Sequence, residues 1–451
     1  MLNRAAAIRA TIAAWGLMSP ALVIPAPAAE PDWPQWRGRA GDGHAPAAHD
    51  LPLTWSESEN VAWKTPLPGR GWSSPVIGNG QVWVTTAVEQ PATEAERERR
   101  LADRPGNQPA DVAAAVRFRA IALDQANGRV IHEVELFTVA DPQPIHALNS
   151  FASPSPVLAD GRLFCHFGDF GAASVDTATG TVRWTNRELR LDHVNGPGSS
   201  PILWRDLLIV HLDGSDSQSI AAYRTDSGRL AWQTPRSGPL REDPDLKKAY
   251  ATPLVIECDG RDVLVSPAAD WVYGYDPATG EELWRLSYGV LGYSVVPRPV
   301  AAHGLVFLST SFNRPELLAI RLAGPDKQPE IAWRATKAVP SMPSPLVVGD
   351  AIFMVNDTGV ASCLDARSGT QLWTKRLGGN FSSSPILADG RIYVGNRSGE
   401  TFVIEPGDTG RLLATNSLTD GIFATPAVAD RALYLRTEAA VYRIEEPVPH
   451  R

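Results

Sequence analysis

Four of the chain's nine histidines fall in two neighbouring stretches that share a layout. His146 opens the segment His146-Ala147-Leu148-Asn149-Ser150-Phe151, and His193 sits in Asp192-His193-Val194-Asn195-Gly196-Pro197-Gly198. Each segment leads to a proline, Pro156 or Pro201, and each proline is followed at the same offset by another histidine, His166 or His211. Behind these come aspartate turns, Phe167-Gly168-Asp169 and Leu212-Asp213-Gly214. A neutral imidazole can ligate a metal, carry a proton or bind a polar ligand near neutral pH. Brought together, His146, His166, His193 and His211 with Asp169 and Asp213 would make a ligand pocket or a metal site. Strand-end histidines also have a plainer use, which is to hydrogen-bond the next loop. The spacing is not that of an established metal motif, so a small-ligand pocket is preferred over a metal.

Equivalent loop positions add Arg70, Trp72, Asn149, Asn195, Lys248 and Tyr250 as binding candidates, and then Tyr293, Asn356, Asp357, Asn380, Phe381, Asn396 and Arg397. Asp213-Gly214-Ser215-Asp216 carries a fragment of a calcium loop without the remaining ligands. The chain has no nucleophile elbow, no phosphate loop and no carboxylate pair in a recognisable setting.

Loops of this kind need a repeated scaffold, and residues 341–373 display its unit. Pro343-Ser344-Pro345 opens a short apolar strand, 346–348; Gly349-Asp350 turns it into a second strand, 351–355. Asn356-Asp357-Thr358-Gly359 leads to a third, 360–364, and Asp365-Ala366-Arg367-Ser368-Gly369 to a fourth that ends at Trp373. The aspartate accepts from nearby backbone N–H groups, the glycine supplies a positive φ, and the tryptophan buries its ring against the next sheet. One such unit cannot bury both faces, so it requires copies. Opening prolines recur at Pro75, Pro156, Pro201, Pro253, Pro299, Pro345, Pro385 and Pro426. Their separation is roughly 40 to 52 residues after a first gap of about 80, the size of four-stranded blades plus one insertion.

The last copy, after Pro426, has three strands and no fourth, whereas Asn60-Val61-Ala62-Trp63-Lys64 is a closing strand with no blade ahead of it. Pairing the two closes a ring and removes exposed edges. The expectation is an all-β, eight-bladed β-propeller over residues 60–446, monomeric, with an arm at 29–59.

The arm carries Asp32-Trp33-Pro34-Gln35-Trp36-Arg37-Gly38, expected to pack on the propeller rim. A charged insertion at about 89–116, helical over 92–104, separates the second and third strands of blade one and is either a lid or a solvated excursion. Residues 1–28 read as an export signal, with Arg4 and Arg9 before an apolar run and small residues after it. A cleaved signal implies a periplasmic or secreted protein with no membrane span. No cysteine lies near it for lipid attachment. The net charge of −8 disfavours nucleic acid. Cys165, Cys258 and Cys363 sit in three different repeats and are expected as isolated thiols.

The Asp-x-x-Thr-Gly turn with a tryptophan four residues on, as in Asp176 to Trp184 and Asp276 to Trp284, resembles the tryptophan-docking repeat of the pyrroloquinoline quinone (PQQ) propellers. The resemblance runs from Asp32 to about Ile444. One branch of that family comprises quinoprotein dehydrogenases, for which the resemblance implies axial PQQ stacked on a tryptophan, a calcium ion held by acidic and amide side chains, and a catalytic aspartate. Alcohol dehydrogenases of that branch also carry adjacent cysteines, which this chain lacks. The other branch is BamB-like and implies a non-catalytic scaffold. The DWPQWRG opening resembles PQQ-like repeat proteins of planctomycete type. The expectation is a binding or scaffold module with a protein or small ligand at the loop face; the alternative is an oxidoreductase using PQQ and calcium.

Overall fold

The computed structural model describes residues 33–102 and 109–447; the export-signal residues lie outside them. Eight antiparallel sheets, each with four strands of blade type, follow one another along the chain. Blade six is representative: Leu346–Val348, Ala351–Val355, Val360–Asp365 and Gln371–Arg376, paired in order. Its second and third strands are almost wholly buried, because adjacent blades cover both of their faces, and they read as near-continuous apolar runs. The outermost strand alternates with solvent.

Tryptophans on the outer strands of several blades tie those blades to the next. The Trp333 indole N–H of blade five donates to Ala366 O (3.2 Å) in the closing turn of blade six, and its ring lies against Gly369. Trp184 repeats the contact with Thr225 O (2.9 Å) and Gly228, and Trp373 with Gly407 O (2.8 Å) and Gly410. The seam of the ring uses the same device. Val61–Pro66 pairs antiparallel with Ala440–Ile444 as the fourth strand of blade eight, and Trp63 donates to Gln125 O (3.1 Å) of blade one.

Two expectations are corrected. The arm does not lie on the rim; it occupies the axis. Trp33 pairs antiparallel with Ile77, and Leu158 N–H donates to Pro34 O (2.7 Å), on the innermost strands of blades one and two. After a run of tight turns, His44–Ala45 pairs parallel with Ile386–Ala388, the innermost strand of blade seven. A chain that rises antiparallel to one inner strand and returns parallel to another is a hairpin standing in the channel, and Trp36 is at its tip. Trp33 is buried there at 1% exposure.

The insertion is also shorter than expected. Gln81–Pro91 and Ala113–Asp124 continue as a ladder through Glu89↔Val116, Gln90↔Ala115 and Pro91↔Ala113. The helix spans Glu94–Ala102 and is capped reciprocally by Thr93 and Glu96. Past it, Ala110–Asp111 pairs with Ile145–His146, which brings the insertion to the loop face.

Candidate functional site

The residue before each opening proline is extended, since proline disfavours a helical neighbour, so its N–H points across to the next blade. Those residues are Ser74, Ser155, Ser200, Thr252, Arg298, Ser344, Ser384 and Thr425. A ring of hydrogen bonds results. Ser74 N–H donates to Ser155 Oγ (2.8 Å), Ser155 to Ser200 (2.9 Å), and Ser200 to Thr252 Oγ1 (3.0 Å). Arg298 N–H donates to Ser344 Oγ (2.9 Å), Ser344 to Ser384 (2.9 Å), Ser384 to Thr425 (3.0 Å), and Thr425 back to Ser74 (3.0 Å). Arg298 replaces a hydroxyl in blade five, and there the ring is broken.

Above this ring lies a cavity of about 610 Å³ at the mouth of the channel. Ser74, Ser155, Ser200, Thr252 and Thr425 form its floor together with Trp36, whose indole N–H donates to Thr425 Oγ1 (3.0 Å). The arm therefore makes the cavity blind. On one wall Trp72 stacks on Phe423, with centroids 4.3 Å apart and planes at 9°, and the Arg397 guanidinium lies over Phe423 at 5.7 Å. Trp72 is fixed by its indole N–H on Leu148 O (3.1 Å). On the opposite wall Lys248 reaches Asp245 (2.8 Å), and the Tyr250 hydroxyl donates to His193 O. Leu148, Leu246, Phe312 and Met342 make the remaining rim apolar.

Of the predicted binding residues, Trp72, His146, Asn149, Asn195, Lys248 and Tyr250 line this cavity, and Tyr293 joins them. Asn149 spends its side chain on the loop, donating to Asn195 O (2.8 Å) and accepting from Ser153 Oγ (2.6 Å). His146 Nδ1 accepts from Leu148 N–H (3.1 Å). Arg70 lies outside the cavity, bracing the insertion through Glu89 (3.1 Å) and Asp111 (2.7 Å).

His166, His193 and His211 are buried among blades two, three and four. Burial lowers the His166 pKa to about 4; burial and the neighbouring His166 lower that of His193 to about 3. His211 is lowered by burial and by Arg236. All three are neutral hydrogen-bonding groups. His193 Nε2 accepts from Asp169 N–H (3.0 Å), and His211 Nε2 meets Ser266 Oγ at 2.6 Å. Asp169 accepts from Leu191 N–H (3.1 Å) and Gln143 (3.2 Å). Asp213 receives Arg236 in a bidentate pair at 3.0 and 2.8 Å, and its charge holds that buried guanidinium protonated. The histidines thus tie blades together, and among the described residues no three His, Cys, Asp or Glu side chains converge as metal ligands.

The sequence reading missed Trp36, Phe423 and the hydroxyl floor. The signal for the floor was present as Ser-Pro or Thr-Pro at seven of the eight blade openings.

The residues present do not fit a calcium-bound quinone. The cavity's acidic residues, Asp243 and Asp245, lie on one loop, where Asp243 caps Asp245 N–H (2.9 Å) and Asp245 neutralises Lys248. The Asn149 amide is turned to backbone, and among the described residues Asn195 Oδ1 is the one amide oxygen lining the cavity without a hydrogen-bond partner, which leaves a single neutral ligand for calcium.

A family model described as "Outer membrane protein assembly factor BamB" matches residues 102–324, 216–361, 268–413 and 357–445 in overlapping stretches. The outer membrane protein assembly factor BamB of Moranella endobia is 23% identical over 295 residues, 64% of this chain and 61% of that protein. Its counterpart in Burkholderia pseudomallei is 32% identical over 95 residues, 21% and 24% of the two chains. The alignments thus span less than two thirds of these relatives. Among solved structures, BamB from Moraxella catarrhalis superposes with a TM-score of 0.52 at 14% identity, covering 76% of this chain and 99% of that one. A europium-containing methanol dehydrogenase gives 0.59 at 12%, covering 90% of each. At these identities the structures speak for the fold alone.

Proposed function

Because the chain belongs to the PQQ-repeat propeller family described as outer membrane protein assembly factor BamB, we propose that it is a non-catalytic binding module of the cell envelope. Its binding site is the blind cavity at the mouth of the axis, and its ligand is an apolar segment of a protein partner. The observation that carries this reading is the cavity's make-up: an aromatic stack of Trp72 on Phe423, an apolar rim and a hydroxyl floor, with its acidic groups already engaged. Such a lining rewards burial of side chains and hydrogen-bonding of a peptide backbone. Residues 1–28, which read as an export signal, support a periplasmic location, and the DWPQWRG opening supports a place among the planctomycete-type members.

A photo-crosslinking residue in place of Leu148, on the rim, tests the site in living cells of the source. Leu372, equally exposed at 47% but on the outer strand of blade six, is the control position. A discrete adduct from position 148 that is absent from position 372, and is lost on Trp72→Ala, supports the proposal. Equal labelling at both positions overturns it. So does a saturable rise in melting temperature on titration with PQQ and calcium, accompanied by dye-linked dehydrogenase activity, which would restore the oxidoreductase reading.

A further inference from the structure

The turn at the tip of the arm is braced by two arginines that are removed from water without a matching counter-charge. Arg37, on the arm, is 0% exposed, and Arg298, ahead of blade five, is 3% exposed. Their hydrogen bonds run to backbone carbonyls. Arg37 Nη2 donates to Asp42 O (3.0 Å) and Pro345 O (2.7 Å), and Arg298 Nη1 to Trp36 O (3.2 Å). Nε and Nη1 of Arg37 and Nε of Arg298 are buried without any partner.

Both guanidinium groups press on the same short turn. A methyl at Gly41 would sit 2.2 Å from Arg298 Nη1, and one at Gly43 2.9 Å from Arg37 Nη2. Both glycines hold positive φ, +67° and +93°. A β-carbon is thus excluded at both glycines, and each glycine packs against one of the cations. Burial lowers the Arg37 pKa to about 9, with Arg298 adding repulsion, and burial lowers that of Arg298 to about 10. Asp42 is the carboxylate that both groups feel, and one of its oxygens is occupied by His44 N–H (3.0 Å).

A buried charge is tolerated when it is paired and hydrogen-bonded, and unpaired guanidinium N–H groups in a dry interior are strongly unfavourable. Two cations and one carboxylate leave a single positive charge. We propose that a small inorganic monoanion of the halide class, such as chloride, is held between Arg37 and Arg298 inside the axial channel, fastening the arm to blades five and six. The halide accepts from the unpartnered nitrogens, balances the residual charge and is small enough for a site bounded by glycines. A dianion would reverse the local charge. The site lies beneath Trp36 and does not depend on what the cavity above it takes.

The test is a thermal melt in a bulky organic anion at fixed ionic strength, with separate titrations of sodium chloride, sodium bromide and sodium sulfate. The expected result is a saturable rise in melting temperature with chloride and bromide. At a concentration 100 times the dissociation constant, the folding equilibrium constant rises about a hundredfold. Arg37→Gln and Arg298→Gln each abolish the response. Crystals of the unmodified protein grown in bromide show an anomalous peak between the two guanidinium groups, which keeps the test decisive if both variants fail to fold. A melting temperature indifferent to anion identity overturns the proposal, as does a response to sulfate alone, a response retained by both variants, or the absence of the bromide peak.

Discussion

Alanine at Gly369 separates the contribution of the docked tryptophan from that of the turn backbone. Gly369 has φ +72°, and a Cβ there would lie 2.6, 2.8 and 3.0 Å from three carbons of the Trp333 ring. Gly349, in the same blade, has φ +59° with nothing within 4 Å of its would-be Cβ. A left-handed backbone disfavours any side chain by about 1–2 kcal/mol, and this applies to both sites. Only Gly369→Ala also drives a methyl into a packed ring, which adds about 1–3 kcal/mol. The expected losses are about 1–2 kcal/mol for Gly349→Ala and about 2–5 kcal/mol for Gly369→Ala, adding the two ranges. In a Trp333→Ala background the second should fall to the first, a coupling of about 1–3 kcal/mol. Urea midpoints followed by far-ultraviolet circular dichroism, at a common slope, measure all of these. If Gly369→Ala is no worse than Gly349→Ala, or equally damaging with and without Trp333, tryptophan docking does not hold the blades as described.

The buried histidines set a pH dependence. His166 and His193 have folded-state values near about 4 and about 3, and His211 is also depressed. The unfolded chain, at about 6.5, takes up protons that the folded chain refuses, so stability is full above about 6.5 and declines as pH falls towards about 4. The decline reaches up to about 1.4 kcal/mol per pH unit for each histidine. Melting temperatures between pH 7.5 and 4.5 should fall accordingly, and less steeply in His166→Gln, where two of the three depressed histidines remain; a flat profile in the parent protein would contradict the assignment. Ser200→Ala removes the acceptor for the buried Ser155 N–H, with an expected loss of about 1–3 kcal/mol in urea midpoint, whereas Ser200→Thr keeps the hydroxyl and the stability.

The ring of blades was legible in the sequence because its determinants are local and repeated. Trp184, Trp333 and Trp373 are each separated from the turn glycine they meet by about one blade, and the missing fourth strand after Pro426 pointed directly to Val61–Pro66. The arm had no such repetition. Trp36 meets Thr425, Arg37 meets Pro345 and His44 meets Val347 O (2.7 Å), partners hundreds of residues away that no periodicity announces. Seven of the nineteen loop candidates line the cavity, since loops ahead of the first strands converge on the axis. His166 and His211 misled because an equal offset fixes an equal place in each blade without saying which way it faces. At the end of the second strand that place looks towards a neighbouring sheet, as the His211–Ser266 contact shows. The insertion was overestimated because the strands of blade one run past the sheet edge as an unusually long ladder.

The axial hairpin has a consequence for the order of assembly. Its residues leave the ribosome before any blade, yet their seats belong to blades one, two, five, six, seven and eight. Val61–Pro66 likewise waits for Ala440–Ile444, almost the last residues described. Early blades can form as they emerge, but the axis and the seam stay open until synthesis is nearly complete. The protein thus reaches its native state only once both ends of the ring are present.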